Sequence, residues 1–246
     1  MRDLDGREER KDAMTPQGGN DTESSGATVT TLAGRPEVLS SDGRGATTLS
    51  PKGQRTRQRL LTAARAVFER DGFLDARVVD IATEAGVAHG SFYTYFDSKT
   101  EIFRSVVADV MSLVWHTRTS TDGDPDLSPY QRIERANRQF VRVYRENGTM
   151  LGLMEQAMTF DDEVRQLRLM VRQRSVERVR LNIEQMQKEG TVRGDLDAFC
   201  ASSALVSMVS NFVYFWLVMG EGDYDDEAAV HTLTQLWASA LGMKID

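Results

Sequence analysis

The sequence predicts an all-α protein in two parts, an N-terminal three-helix helix-turn-helix unit and a C-terminal helical domain. Three observations carry this. The stretch Val78 to Lys99, VVDIATEAGVAHGSFYTYFDSK, holds two short helical patterns on either side of a turn that needs glycine. Apolar residues recur at helical spacing through the long segments that flank it. Phe199 to Met219 has no charged side chain at all, which reads as a helix covered on nearly every side.

The helix before the central stretch spans Gly53 to Asp71, where Leu60, Leu61, Ala64, Val67 and Phe68 share a face and Gly72 follows as a stop. In the stretch itself, Ile81 and Ala82 fall on the inner face of the first short helix. Ala82 is small where two helices cross, Gly86 supplies a left-handed turn without Cβ strain, and Val87 and Phe92 hold the second helix against the first. That second helix then exposes Ala88, His89, Gly90, Ser91, Tyr93, Thr94 and Tyr95, a polar and aromatic surface of the kind that meets base edges and phosphates in a major groove.

The run Arg57 to Phe103 resembles the DNA-binding domain of the TetR family of transcriptional regulators. The resemblance rests on Leu60, Ala63, Ala64, Phe68, Gly72, Phe73, Asp80-Ile81-Ala82, Ala85-Gly86-Val87, Gly90-Ser91-Phe92-Tyr93, Tyr95-Phe96 and Ser98-Lys99. It implies a DNA-binding domain over 51–98 and an effector-binding and dimerisation domain over 99–246, after a segment, residues 1–50, whose composition reads as a disordered tail. Carried over by position, it implies that His89, Gly90, Tyr93 and then Thr94 approach base edges. Ser91, Tyr95 and Lys99 are implied to hold phosphates, as are Lys52 and Arg55. Two departures stand out. Arg77 and Ala88 occupy positions where a hydroxyl residue commonly caps the two short helices, so Arg77 is expected to take a phosphate instead.

Composition is compatible with this expectation. The chain has 246 residues, 27% of them charged, and a formal net charge of −7. Only residues 51–104 are net positive, with nine basic side chains against seven acidic, and Lys52, Arg55, Arg57 and Arg59 cluster at the entrance. One cysteine, Cys200, and three scattered histidines offer no disulfide and no metal-ligand spacing, so neither a metal nor a cofactor is expected, and a reducing cytoplasm is the simplest setting. Residues 1–50 are rich in Gly, Ser, Thr and Asp and cannot bury enough surface to order themselves. Alternatives for them are an arm lying along DNA, or a true start at Met14 or later. A secretory signal is not expected, because no apolar run follows the charged beginning.

Ser98 and Glu101 form a predicted capping box, and Ile102, Phe103, Val106, Val107, Val110 and Val114 give the next helix a long apolar stripe. After a connection containing Asp122-Gly123-Asp124-Pro125, Ser128-Pro129 reads as N-cap and first helical position. That helix carries Ile133, Ala136, Phe140, Val141 and Tyr144 and is expected to end at Asn147-Gly148. A short piece from Met150 to Met158 and a long helix from Asp161-Asp162-Glu163 to about Glu189 follow. The arginines Arg165, Arg168, Arg172, Arg174, Arg178 and Arg180 on the long helix read either as a solvated face laced with glutamates or as a dock for an anionic ligand such as a coenzyme A ester.

Phe199–Met219 is long enough to span a bilayer, but Ser202, Ser203, Ser207, Ser210 and Asn211 interrupt it and no basic cluster flanks it, so no membrane partner is expected. The expected second cover is the same helix of another subunit. It pairs with the stripe Val230, Leu233, Trp237, Ala240 and Leu241 of the last helix, Asp225 to about Leu241, in a four-helix bundle across a two-fold axis. Trp115, Phe140, Tyr144, Met154, Met158, Phe212, Tyr214 and Trp216 are the candidate lining of an effector pocket, with plain core as the alternative.

The functional expectation is a ligand-responsive regulator, most simply a repressor, that binds double-stranded operator DNA as a homodimer on an inverted repeat and is released by a small molecule. No nucleophile, base or metal set converges, so no catalytic residue is assigned. The alternatives are a helical ligand-binding or scaffolding protein without DNA binding, and an activator of the same fold.

Overall fold

The computed structural model describes residues 49–119 and 127–243. The predicted tail up to residue 48 and the Asp122–Pro125 connection lie outside them. The described residues form helices α1 (Pro51–Asp75), α2 (Val78–Glu84), α3 (His89–Phe92), α4 (Lys99–Thr119), α5 (Pro129–Ala157), α6 (Asp162–Lys188), α7 (Ala198–Leu217) and α8 (Asp226–Leu241), with no strand among them. The architecture is all-α, a helix-turn-helix unit followed by a helical body.

Local chemistry explains most boundaries. Ser50 accepts from the Gly53 amide at 3.2 Å, with Pro51 as the first helical residue of α1. Gly72 breaks the helical path with φ +76°, where predicted, although α1 closes only at Asp75. Ser128 and Gln131 complete a capping box at α5, Asp161 caps α6 through the Glu163 and Val164 amides, and Asp197 and Asp225 cap α7 and α8. At α4 the box is offset by one residue. Ser98 accepts from Glu101, but the Glu101 carboxylate takes the amide of Asp97.

The predicted stop at Asn147-Gly148 is instead a kink. Asn147 leaves helical geometry (φ −129°, ψ 15°) and its side-chain amide donates to the Val143 carbonyl at 2.8 Å, so the helix bends and continues to Ala157. The end of α7 passes close by: a Cβ on Gly148 would lie 3.4 Å from the Leu217 carbonyl, and one on Gly152 3.2 Å from Val218 Cγ1. Met150, Leu151 and Met154, beyond the kink, are buried in the common core.

The core runs from α1 through α4 into the body. Phe68, Phe92, Phe96, Ile102 and Phe103 are fully buried, with Phe103 edge-on to Phe68 at 5.1 Å. α4 packs against α1, α5 and α6, while α7 lies on α6 and α5, and α8 on α5. In α8 the predicted stripe is used internally: Val230, Leu233, Trp237 and Leu241 are buried, leaving Thr232, Leu236 and Ala240 outward. Among the described residues α7 is the one helix long and apolar enough to cross a membrane, and a third of it is buried within the chain.

Candidate DNA-reading face and ligand cleft

The reading face is assembled by basic side chains that turn inward. Arg59, reaching from α1, donates to the carbonyls of Ala85 and Gly86 (3.2 Å to the latter), clamping the turn between α2 and α3. Gly86 sits at φ +62°, and a Cβ there would come within 2.9 Å of that guanidinium. The Arg57 guanidinium lies over the Phe96 ring at 5.0 Å. Two of the four clustered cations at the head of α1 therefore hold the unit together, and Lys52 and Arg55 remain exposed at its first turn, with Arg55 Nε donating to the Pro51 carbonyl at 3.3 Å.

Lys99 requires a correction. Its ammonium donates to the carbonyls of Phe73, Leu74 and Ala76 at 2.7, 3.0 and 2.9 Å and lies 4.8 Å from the Phe73 ring centre. Three donors meet three acceptors, so the predicted phosphate ligand ties α4 to the end of α1 and is a positioning residue. Arg77 forms a two-point pair with Asp80, at 2.9 and 3.4 Å, on the exposed side of α2. Neither Arg77 nor Ala88 gives its helix a side-chain cap.

α3 is one turn long, so Thr94 and Tyr95 sit in the turn after it rather than on it. His89, Gly90, Tyr93 and Thr94 are exposed, while Ser91 and Tyr95 are half-buried. Tyr93, 47% exposed, stands edge-on to Phe92 at 5.3 Å and to His89 at 5.5 Å, so buried Phe92 props the outward ring.

The eight predicted pocket residues do not converge. Phe140 and Tyr144 stack at 4.6 Å within the core, Met154 is buried, Met158 is partly buried, and Trp115 carries the Arg178 guanidinium at 5.3 Å. Phe212 and Trp216 join Tyr224 in an aromatic cluster beside a shallow recess. Burial, with the nearby Glu155 charge, pushes the Tyr214 phenol up. Periodicity identifies inward faces but not which of them enclose a void.

A cleft of about 280 Å³ opens elsewhere, between α5, α6 and α8, and of the predicted set only Phe140 reaches it. Ile133, Phe140, Ile183, Met186 and Trp237 form its apolar wall, and Arg132, Asn137, Arg178, Asn182, Gln185 and Glu189 supply polar groups. Asn137, buried and donating to Thr234 at 3.1 Å, is the signal in the chain that points there: a polar residue on the Ile133–Phe140 face of α5. The α6 arginines are largely engaged by protein groups, Arg165 with Asp162, Arg168 with Glu155, Arg180 with Glu177 and Glu184, and Arg172 with the Ser203 and Ser207 hydroxyls. The solvated, ion-paired reading fits them.

Residues 60–106 match the family model for bacterial regulatory proteins of the tetR family. The chain is 28% identical over 178 residues to the HTH-type transcriptional regulator YdgC of Bacillus subtilis (strain 168), covering 71% of this chain and 88% of that one. It is 28% identical over 141 residues to the HTH-type transcriptional repressor DhaR of Mycobacterium sp. (strain GP1), covering 57% and 71% respectively. A crystal structure of a TetR-like transcriptional regulator from Rhodococcus sp. RHA1 superposes with a TM-score of 0.59 at 25% identity, covering 80% of this chain and all of that one. These relatives are regulators rather than enzymes, and the solved one shares the helical fold along its whole length. Residues 60–106 thus carry the DNA-binding domain of bacterial regulatory proteins of the tetR family, and most of the chain is similar to transcriptional regulators that contain it.

Proposed function

We propose that the protein is a dimeric, ligand-responsive repressor of transcription, acting on DNA in the cytoplasm. Residues 51–98 form its reading head, and 99–246 its effector-binding and dimerisation body. The observation that carries this is the outward set His89, Gly90, Tyr93 and Thr94, flanked by exposed Lys52 and Arg55. Base edges are read by the first group, and phosphates are held by Lys52, Arg55, Ser91, Tyr95 and Arg77 once it leaves Asp80. Repression is supported by the matched repressor DhaR.

Dimerisation is assigned to the outward stripe of α7, formed by Cys200, Ala204, Asn211 and Phe215, with Met219 just beyond its end, together with Leu236 and Ala240 of α8. An apolar helix that its own chain buries only by a third calls for another cover. Two-fold symmetry then sets two reading heads on successive major grooves, roughly 34–36 Å apart, and the operator is an inverted repeat. The effector site is the α5–α6–α8 cleft, and an occupant changes the spacing of the heads.

The test is a fluorescence-anisotropy titration of the full chain on the DNA upstream of its own gene. Sequence-specific binding that weakens steeply with salt is the expected result. Binding no tighter than to unrelated duplex, at low salt, would leave a ligand-binding helical protein without operator function.

A further inference from the structure

The α5–α6–α8 cleft is lined by both apolar and charged groups, and its lining is not symmetric in charge. Arg132 and Arg178 face it against a single carboxylate, that of Glu189, which already accepts from Gln185 Nε2 at 2.6 Å. Arg178 is seated over Trp115. Arg132 is half-buried at the start of α5; its backbone amide donates to the Ser128 carbonyl at 3.0 Å, while its guanidinium has no hydrogen-bond or ion-pair partner among the described residues. A guanidinium that faces a largely apolar cleft and is itself unpaired is a ready receptor for an anionic oxygen pair.

Size narrows the class further. At roughly 30 Å³ for each liquid water, 280 Å³ holds about nine, so the occupant has about ten non-hydrogen atoms. Ile133, Phe140, Ile183 and Trp237 accept an apolar body, and the amides of Asn137, Asn182 and Gln185 lie along the wall.

We infer that the cleft binds a small amphipathic carboxylate, whose head pairs with Arg132 and whose apolar body lies between Ile133, Phe140, Ile183 and Trp237. This rests on the reading of the cleft as the effector site and names the chemistry of its ligand.

The test uses octanoate and octan-1-ol as matched probes in isothermal titration calorimetry of the full chain, beside Arg132→Gln, Ala136→Trp and Val179→Phe. Octanoate is expected to bind once per chain and at least ten-fold more tightly than the alcohol. Arg132→Gln removes that ten-fold preference and leaves octanol binding within two-fold. Either cleft-filling variant abolishes both heats, and the use of two variants from different helices guards against one that fails to fold. Equal binding of the two probes, or an unchanged preference in Arg132→Gln, overturns the carboxylate class. Retention of octanoate binding in both filled variants, or no binding to the native chain, overturns the site. Operator affinity of each ligand-free variant, measured in parallel, separates these failures from failure of the DNA-binding reading.

Discussion

Arg104 donates from Nε to the Asp161 carboxylate at 2.8 Å, joining the second turn of α4 to the start of α6. Asp161 is almost wholly buried and also accepts from the Glu163 and Val164 amides at 3.0 and 3.2 Å, so one carboxylate caps a helix and anchors the helix that follows the reading head. Glu163 adds a second acceptor to the same guanidinium.

Burial alone would raise the Asp161 carboxyl, but the Arg104 hydrogen bond and charge and the two amides outweigh it, and the group lies below the ordinary carboxylate range. A depressed native value stabilises the fold above the unfolded pKa of about 3.9, and that stability is lost as pH falls through the lower native value. Asp161→Asn keeps a competent cap while removing the charge. It is expected to cost ~2 kcal/mol at pH 7, about 4–8 °C in Tm, with the gap to the native chain closing below pH 4. Thermal melts from pH 7 to pH 3 check this, and a pH-independent gap would remove the ionic contribution.

Lys99 and Arg55 are both cations near the reading face, but they should separate by salt. Lys99→Met is expected to lower Tm and leave the slope of log K against log salt unchanged, because its ammonium is held by the 73–76 carbonyls. Arg55→Ala should keep Tm and flatten the slope by about 0.9 for each phosphate that the variant no longer neutralises. Operator titrations between 50 and 200 mM salt, roughly the range over which such slopes are read, distinguish the two roles.

Ala204 lies exposed midway along the outward stripe of α7. Ala204→Arg is expected to yield a monomer by light scattering with an unchanged helical circular-dichroism spectrum, and operator affinity is expected to fall at least 100-fold as the second head is removed. A dimer that survives would move the interface off α7.

Trp115 of α4 supports the Arg178 guanidinium that lines the cleft, so the cleft touches the helix that follows the reading head through this pair of side chains. Trp115→Leu is expected to keep octanoate affinity within about three-fold while shrinking the octanoate-induced change in operator affinity from ten-fold or more to under three-fold. The comparison is anisotropy with and without saturating octanoate, on the scale of the roughly 1–3 kcal/mol typical of such coupling.

What is legible in the sequence is local. The cap at Ser128, the helix starts at Asp161 and Asp225, the turn at Gly86 and the inward Ile81 and Phe92 depend on neighbours within a few residues, and the structure places each where the chain predicts it. Lys99 defeats such reading because its acceptors lie 23 to 26 positions earlier, where no pattern in the chain points to it. Asn147-Gly148 carries the same signal whether a helix stops or bends. The bend lies where α5 passes close to the end of α7, about 70 residues further along the chain. The cleft escapes prediction because aromatic and Met positions mark interior faces, whereas the void lies where Arg132 and Asn137 of α5 and Trp237 of α8 meet α6.

The bend in α5 is gripped on two sides. Arg65 of α1 donates to the Glu146 carbonyl at 3.3 Å, and Gly148 and Gly152 lie under the end of α7 with scarcely an atom's width to spare. A knee touched by α1 on one side and by the end of α7 on the other is a joint at which a change of angle would be felt by both neighbours.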